Sequence, residues 1–283
     1  MEWKQCLLKT HKICDKFGIY DWIVVIIVLL VGLKISMNPI QYDYKPYIIS
    51  YMDLPHRTST ISYESLCILI FGVGGLITIF IWTLYESSIN SSLSKCLAAY
   101  YFSISLTIFV ESSLKQYVAR PRPDTLSNCQ INNSAAVSFK QCSQILSSYS
   151  ASDQFLSFPS GHAAESMSSC LFISLLLAKF LNAKRKPKSI FQEPSTSSVQ
   201  MSNENLHTSP QTENESIPSF SISLFSFFQI IPIGFSLYVA FSRIWDRVHH
   251  TDDVIMGLII GAIISKMTFN SFEHGAKIDD DEN

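Results

Sequence analysis

The chain has 283 residues, a formal net charge of −2 and only 16% charged residues, against about 25% in an ordinary soluble domain. Hydrophobic residues make up 47% and the mean hydropathy is +0.21, which points to a membrane. The near-neutral balance excludes a nucleic-acid binder, which needs a basic face, and the 12% aromatics and long apolar runs exclude a wholly disordered chain.

A membrane helix needs about 20 mostly apolar residues. Six stretches meet this in chain order: Ile19–Met37, 65–85, 93–117, 163–181, 220–242 and 253–269. The third is diluted by serines and Glu111, and the fifth carries Pro232, which neighbouring helices accommodate in a membrane. No A-x-A-like site follows the first stretch, so it is read as a retained span rather than a signal peptide. The predicted fold is all-α: a polytopic membrane protein with six transmembrane helices in a bundle.

Lysine and arginine set the orientation. Lys4, Lys9, Lys12 and Lys16 precede span one, and Lys184, Arg185, Lys186 and Lys188 follow span four. Six alternating spans put both groups on one side, the cytosol, with both termini. The predicted organisation is a cytosolic segment 1–18, spans one to four in 19–183, a disordered cytosolic loop 184–219, spans five and six in 220–270 and an acidic cytosolic tail 271–283. The loop is rich in Ser, Thr, Asn, Gln, Glu and Pro and lacks periodicity. Arg120, Arg122 and Lys140 lie on the opposite side, against the rule, which basic residues of a binding site explain.

Three clusters fall on the predicted extracytoplasmic ends of spans three to six. They are Lys115-Gln-Tyr-Val-Ala-Arg-Pro-Arg-Pro123, Pro159-Ser-Gly-His162, and Ser242-Arg243 with His249 and Asp253. Lys115, Arg122 and Arg243 are cations at apolar helix ends with no matching carboxylate evident nearby. Such a set suits an anionic ligand, and a phosphate fits the planar arginine forks. Ser160 and Gly161 precede a helix, where backbone N–H groups form an anion site. His249 and Asp253 are four residues apart and would share a face if span six begins here. Asp253 would then accept from one ring nitrogen and leave the other nucleophilic. His162 supplies a second imidazole as proton donor. Taken singly, each cation is a snorkelling anchor, Pro-Ser-Gly-His a capped turn, and His249 with Asp253 a structural pair or half a metal site. Gly257 and Gly261 read as a helix-packing face, and Glu111 as a residue that orients Lys115. His250 and Asp252 read as lip residues. Seven cysteines without a C-x-x-C pair argue against a zinc site, and no P-loop or G-x-G-x-x-G appears.

Together the clusters read K-x6-R-P, P-S-G-H and S-R-x5-H-x3-D, eleven positions in order. At about one chance in twenty per position, coincidence is negligible. The pattern resembles the type 2 phosphatidic acid phosphatase superfamily, and more closely its integral-membrane lipid phosphate phosphatases. Arg122-Pro-Asp-Thr-Leu-Ser-Asn-Cys129 is similar to the group's R-P-x-F-L-x-x-C, and Ser242-Arg-Ile-Trp-Asp-Arg-Val-His-His250 to its S-R-V-x-D-x-x-H-H. The resemblance covers residues 19–269. Ala119 stands where Gly is frequent, and Thr125 where Phe is common, which bears on substrate fit.

The resemblance implies that His249 attacks phosphorus to form a phosphohistidine, that Asp253 orients it and that His162 protonates the leaving alkoxide. Lys115, Arg122, Ser160, Gly161 and Arg243 would bind the phosphoryl oxygens. It implies no cofactor and no metal. Expected substrates are phosphomonoesters of membrane lipids: phosphatidate, lysophosphatidate, sphingoid-base phosphates or diacylglycerol pyrophosphate. The expected partners are these lipid phosphates and the bilayer, with no nucleic acid. A homo-oligomer stays open, as do the choice between plasma membrane and endomembrane, a non-catalytic scaffold of the same family, and a polyprenyl-diphosphate or sugar phosphatase. On this topology Cys129 and Cys142 are alone in the oxidising compartment and are expected to form a disulfide. Asn132 is the expected glycosylation site.

Overall fold

A computed structural model describes residues 18–40, 54–85, 92–131, 139–185 and 219–281. Among these residues every regular element is helical. Six helices are long and apolar enough to cross a membrane, and the chain is a multi-pass membrane protein. The expected segment 1–18 lies, up to residue 17, outside the described residues, as do Asn132 and residues 186–218 of the expected loop.

Helix α1 is Ile19–Met37. The second span opens as α2 (Tyr63–Cys67), passes through a π-helical stretch Ile68–Val73 and continues as α3 (Gly74–Tyr85). The wider turn is tied from outside, where Tyr100 Oη donates to the carbonyl of Ile70 at 2.5 Å and Tyr101 Oη to that of Phe71 at 2.8 Å. Helix α4 is Leu93–Val118, followed by the short helices α5 (Thr125–Asn128), α6 (Phe139–Cys142) and α7 (Ser148–Asp153). The remaining spans are α8 (Gly161–Arg185), α9 (Ser219–Trp245) and α10 (Thr251–Asp281).

Helix ends outrun the apolar stretches. Helix α8 continues to Arg185 through Ala183-Lys184-Arg185, all strong helix formers. Helix α10 runs on to Asp281 with no proline to stop it, so most of the segment read as a tail carries helical backbone.

Helix α8 is the axis of the packing. Its membrane window is 72% buried, and it touches α3, α4, α9 and α10. Hydroxyls tie it to its neighbours: Ser168 pairs with Ser103 at 2.7 Å, Ser169 with Tyr100 at 2.7 Å and Ser166 with Ser236 at 3.1 Å, interhelical bonds that suit a lipid environment. Gly257 and Gly261 let α10 approach α8 closely, because a Cβ at either position would strike the carbonyl oxygen of Ser160 or Ala164. Helix α1 lies at the periphery against α4 and leaves Ile23, Ile26, Ile27 and Leu30 exposed, as a lipid-facing helix should.

Candidate active site

Six pieces of chain meet at one end of the helices. They are the C-termini of α4 and α9, the N-termini of α8 and α10, and the connections 119–131 and 139–160. The N–H of Ser160 donates to the carbonyl of Asp253 at 3.0 Å, which fixes the start of α8 to the first turn of α10. Gly161 opens α8, and a Cβ there would stand 3.0 Å from Lys115 Nζ. Lys115 therefore lies directly against a helix N-terminus, a place that favours an anion.

His249 stands in the turn before α10 rather than on its face, because the helix begins only at Thr251. That alters its partner. Its Nδ1 donates to the carbonyl of Ser157 at 2.7 Å, while the Asp253 carboxylate lies 3.8 Å away, at ion-pair distance only. The carbonyl accepts from N–H alone, so it sets the neutral tautomer and leaves Nε2 with the lone pair. Asp253 is fully buried and occupied elsewhere. It accepts from Ser157 Oγ at 2.5 Å, from His250 N at 2.8 Å and from Arg120 Nη1 at 2.7 Å, with His250 Nδ1 at 3.1 Å. Burial drives the His249 pKa down to about 4. The Asp253 carboxylate opposes the fall, and the positive charges of Arg122 and Lys115 add to it.

Each of the three cations has a carboxylate, contrary to the sequence-based expectation. Lys115 pairs with Glu111 at 2.7 Å, Arg122 with Asp153 at 2.8 Å and Arg243 with Asp246 at 2.8 Å. Only the Glu111 pairing was legible, being one helical turn away. The pairs leave donors over. A guanidinium has five N–H groups. Arg122 spends its other described bonds on the carbonyls of Asp153 and Val248, and Arg243 on Ser242 Oγ. Ser160 Oγ is buried with no partner among the described residues, a group that an incoming acceptor would satisfy.

His162 is the second residue of α8. Its Nε2 donates to the carbonyl of Ile61 at 3.2 Å, and Tyr63 packs edge-on to its ring at 5.8 Å. Glu165 takes its bond from Tyr63 Oη at 3.3 Å and not from the imidazole. Ile61 belongs to a strap, residues 54–62, whose role no motif announced. The strap is laced to the site on several sides: Leu54 N to the Pro123 carbonyl, His56 to Asp124, and Thr60 to Asp246.

Thr125 is fully buried, and its hydroxyl donates to the carbonyls of Arg122 at 2.8 Å and Gln154 at 3.1 Å. It braces the loop that carries Arg122 rather than lining a substrate path. Cys129 and Cys142 are joined by a disulfide that ties α5 to α6. Arg120, Ser157 and Asp153 were not singled out as site residues, because each works through a partner remote in sequence, nor was Asp246, whose bonds from Thr60 are remote and whose pairing with Arg243 is made in the turn after α9. Among the described residues no group of three or more His, Cys, Asp or Glu side chains could hold a metal ion.

Residues 97–275 match the family model described as the PAP2 superfamily. The probable diacylglycerol pyrophosphate phosphatase 1 of Schizosaccharomyces pombe is 27% identical over 179 residues, which is 62% of this chain and 52% of that protein. Phospholipid phosphatase 2 of Bos taurus is 23% identical over 246 residues, 84% of this chain and 71% of that protein. Phospholipid phosphatase 1 of Rattus norvegicus is 25% identical over 228 residues, 75% of this chain and 68% of that protein. The chain thus spans about half the length of the yeast relative. No solved structure matches it.

Proposed function

The chain belongs to the PAP2 superfamily, and we propose that it is an integral-membrane phosphatase that removes phosphate from lipid phosphomonoesters through a phosphohistidine, without a metal. The observation that carries the reading is the pairing of His249 Nδ1 with the Ser157 carbonyl. It holds the ring and aims an unprotonated Nε2, and the low pKa of about 4 keeps that lone pair free at neutral pH.

The proposed reaction has two steps. His249 Nε2 attacks phosphorus in line, and the P–O bond to the lipid alkoxide breaks. His162 gives the alkoxide a proton. Its Nε2–H is committed to Ile61, so Nδ1 is the nitrogen left to carry the transferable proton. Water then attacks the phosphohistidine, with His162 taking the proton back, and inorganic phosphate leaves. Lys115, Arg122, Arg243, Ser160 and the N-terminus of α8 at Gly161 hold the phosphoryl oxygens as charge builds on them. The Ser157 carbonyl and Asp253 stabilise the positive charge that the phosphorylated imidazole acquires. The site sits at helix ends, which suits a substrate whose acyl chains stay in the bilayer, and the names of the yeast and mammalian relatives support a lipid substrate. Phosphatidate, lysophosphatidate, sphingoid-base phosphates and diacylglycerol pyrophosphate are the proposed substrates. The proposed side of the site is the lumen or cell exterior.

The test is phosphate release from short-chain phosphatidate in detergent micelles, with and without EDTA. Turnover that EDTA leaves unchanged and that His249→Ala abolishes supports the reading. No release from any lipid phosphate by the folded protein points to a non-catalytic member, and loss with EDTA refutes metal independence.

A further inference from the structure

At the same end of the molecule, beside the site, an open cavity of about 430 Å³ lies between the strap and the end of α9. It is lined by Leu54, Arg57, Phe241, Ile244, Trp245 and Arg247. Phe241, Trp245 and Leu54 are exposed, and Trp245 closes the fifth span, where aromatic side chains mark the boundary between membrane and water. Two cations stand at the rim. Arg57 lies 5.0 Å from the centre of the Trp245 ring and donates to the Trp245 carbonyl at 3.3 Å, and Arg247 reaches the Pro55 carbonyl at 3.5 Å. These partners are neutral. Among the described residues neither arginine pairs with a carboxylate, and Asp246, next to Arg247 in sequence, is buried and turned to Arg243 and Thr60.

A cation at a membrane boundary needs a partner or a role. The proposed phosphoryl grips, Arg122, Arg243 and Lys115, already serve the reacting phosphate, so this pair is surplus to that chemistry. The complement of an apolar groove capped by two guanidinium forks is a molecule with an anionic phosphate head and an acyl tail. We infer that the groove binds an anionic glycerophospholipid of the adjacent leaflet as an accessory ligand, distinct from the substrate. Its phosphodiester lies across Arg57 and Arg247, and one acyl chain runs along Phe241, Ile244 and Trp245. The strap that carries Arg57 also carries Thr60 and Ile61, which hold Asp246 and His162. The lipid therefore secures the outer face of the element that positions two parts of the site.

The test needs no turnover, so it stands whether or not the phosphatase reading does. The full chain in a mild detergent is supplemented with phosphatidylcholine or with phosphatidylglycerol, each with and without inorganic phosphate, and thermal unfolding is followed. Phosphatidylglycerol is expected to raise the apparent Tm by about 2 °C or more over phosphatidylcholine, and the difference should persist with inorganic phosphate present, because free phosphate fills the proposed active site and not the groove. The double variant Arg57→Gln/Arg247→Gln should lose the difference, and Arg57→Lys/Arg247→Lys should keep most of it. Native mass spectrometry gives the same comparison as bound phosphatidylglycerol against phosphatidylcholine, should the glutamine variant be less stable without lipid. Equal shifts from the two lipids, loss of their difference when inorganic phosphate is present, or an undiminished preference in the glutamine variant would overturn the inference.

Discussion

Thr60 gives both of its donors to Asp246. The backbone N–H reaches Oδ2 at 2.8 Å and the hydroxyl reaches Oδ1 at 2.6 Å. Arg243 approaches Oδ2 from the other side at 2.8 Å. Asp246 thus stands between an exposed strap and a buried arginine, and its orientation depends on both. Thr60→Val keeps the side-chain shape and removes one donor, leaving Oδ1 of a buried carboxylate short of a bond, at a cost of about 1 kcal/mol. If Arg243 grips the phosphoryl group in the transition state, that loss falls on kcat with little change in KM, by about fivefold to tenfold. Thr60→Ser should restore it. An unchanged kcat in Thr60→Val would show that Asp246 is held well enough without the strap.

His249 should titrate far below an ordinary imidazole. Its pKa is lowered to about 4 by burial, with the charges of Arg122 and Lys115 adding to the shift against Asp253. An unfolded histidine titrates near 6.5. Between these values the unfolded chain binds a proton that the folded chain refuses. The contribution of this group to stability is therefore complete above about 6.5 and is lost as pH falls toward 4. NMR of ¹⁵N-labelled histidine in micelles, assigned by the signal missing in His249→Ala, reads the titration directly. Arg122→Gln removes one opposing charge and should move the midpoint upward. A midpoint at 6 or above in the parent protein would contradict the burial argument.

Ala119 closes α4 with φ 48° and ψ 47°, in the left-handed region where a Cβ costs roughly 1–2 kcal/mol. Its N–H still completes the helix, donating to the Lys115 carbonyl at 2.9 Å, and the next residue is Arg120 on the Asp253 carboxylate. Glycine is the usual residue at such a closure. Ala119→Gly should raise stability by about 1 kcal/mol, less the added entropy of the unfolded chain, and leave kcat within about twofold. A lower midpoint of thermal unfolding would show that the alanine methyl, buried here, contributes more by packing than it costs in strain.

What the sequence could show, and what it could not, divides along sequence distance. His249 and Asp253, Ser160 and Gly161, and Lys115 with Glu111 are near neighbours at helix ends, so spacing alone suggested them. Ser157 is 92 residues from His249 and holds it through a backbone carbonyl, which carries no side-chain signature. The strap 54–62 has neither periodicity nor a charge run, and its meaning arises only when Thr60 and Ile61 meet Asp246 and His162. The carboxylates of Asp153 and Asp246 were invisible as partners because a turn or short helix, not a long-helix repeat, delivers each to its arginine. Helix ends were blurred for another reason. The membrane sets the length of the apolar stretch, while propensity and the absence of proline carry α8 and α10 beyond it.

The disulfide between Cys129 and Cys142 closes a loop with a sequence separation of 13, worth about 3 kcal/mol on chain entropy. Both sulfurs lie in a small buried cluster with Leu126, Ala151 and Phe155, next to the loop that carries Arg122. Cys129→Ser/Cys142→Ser should lower thermal stability and weaken substrate binding by loosening that loop. Peptide mapping without reductant should recover the linked pair. Two separately alkylated cysteines in active protein would refute the bond.

The two histidines offer the most direct test of the proposed chemistry, because the geometry gives them unequal roles. His249 has its Nδ1 held by a carbonyl and a buried carboxylate 3.8 Å away, an environment that tolerates the cation formed when Nε2 bonds to phosphorus. Among the described residues His162 has no carboxylate bonded to it, since Glu165 is taken by Tyr63, and it starts a helix whose dipole disfavours a lasting positive charge. A ring that gives up its proton readily suits a general acid and not a covalent carrier. His249→Ala should therefore abolish turnover and covalent labelling from a ³²P-labelled lipid phosphate. His162→Ala should slow ordinary lipid phosphates by about 10²–10⁴-fold, yet recover much of the lost rate with a nitrophenyl phosphate, whose leaving group needs no proton. If His249→Ala still forms an acid-labile phosphoenzyme while His162→Ala forms none, the roles are reversed, and the Ser157 carbonyl then holds the acid rather than the nucleophile.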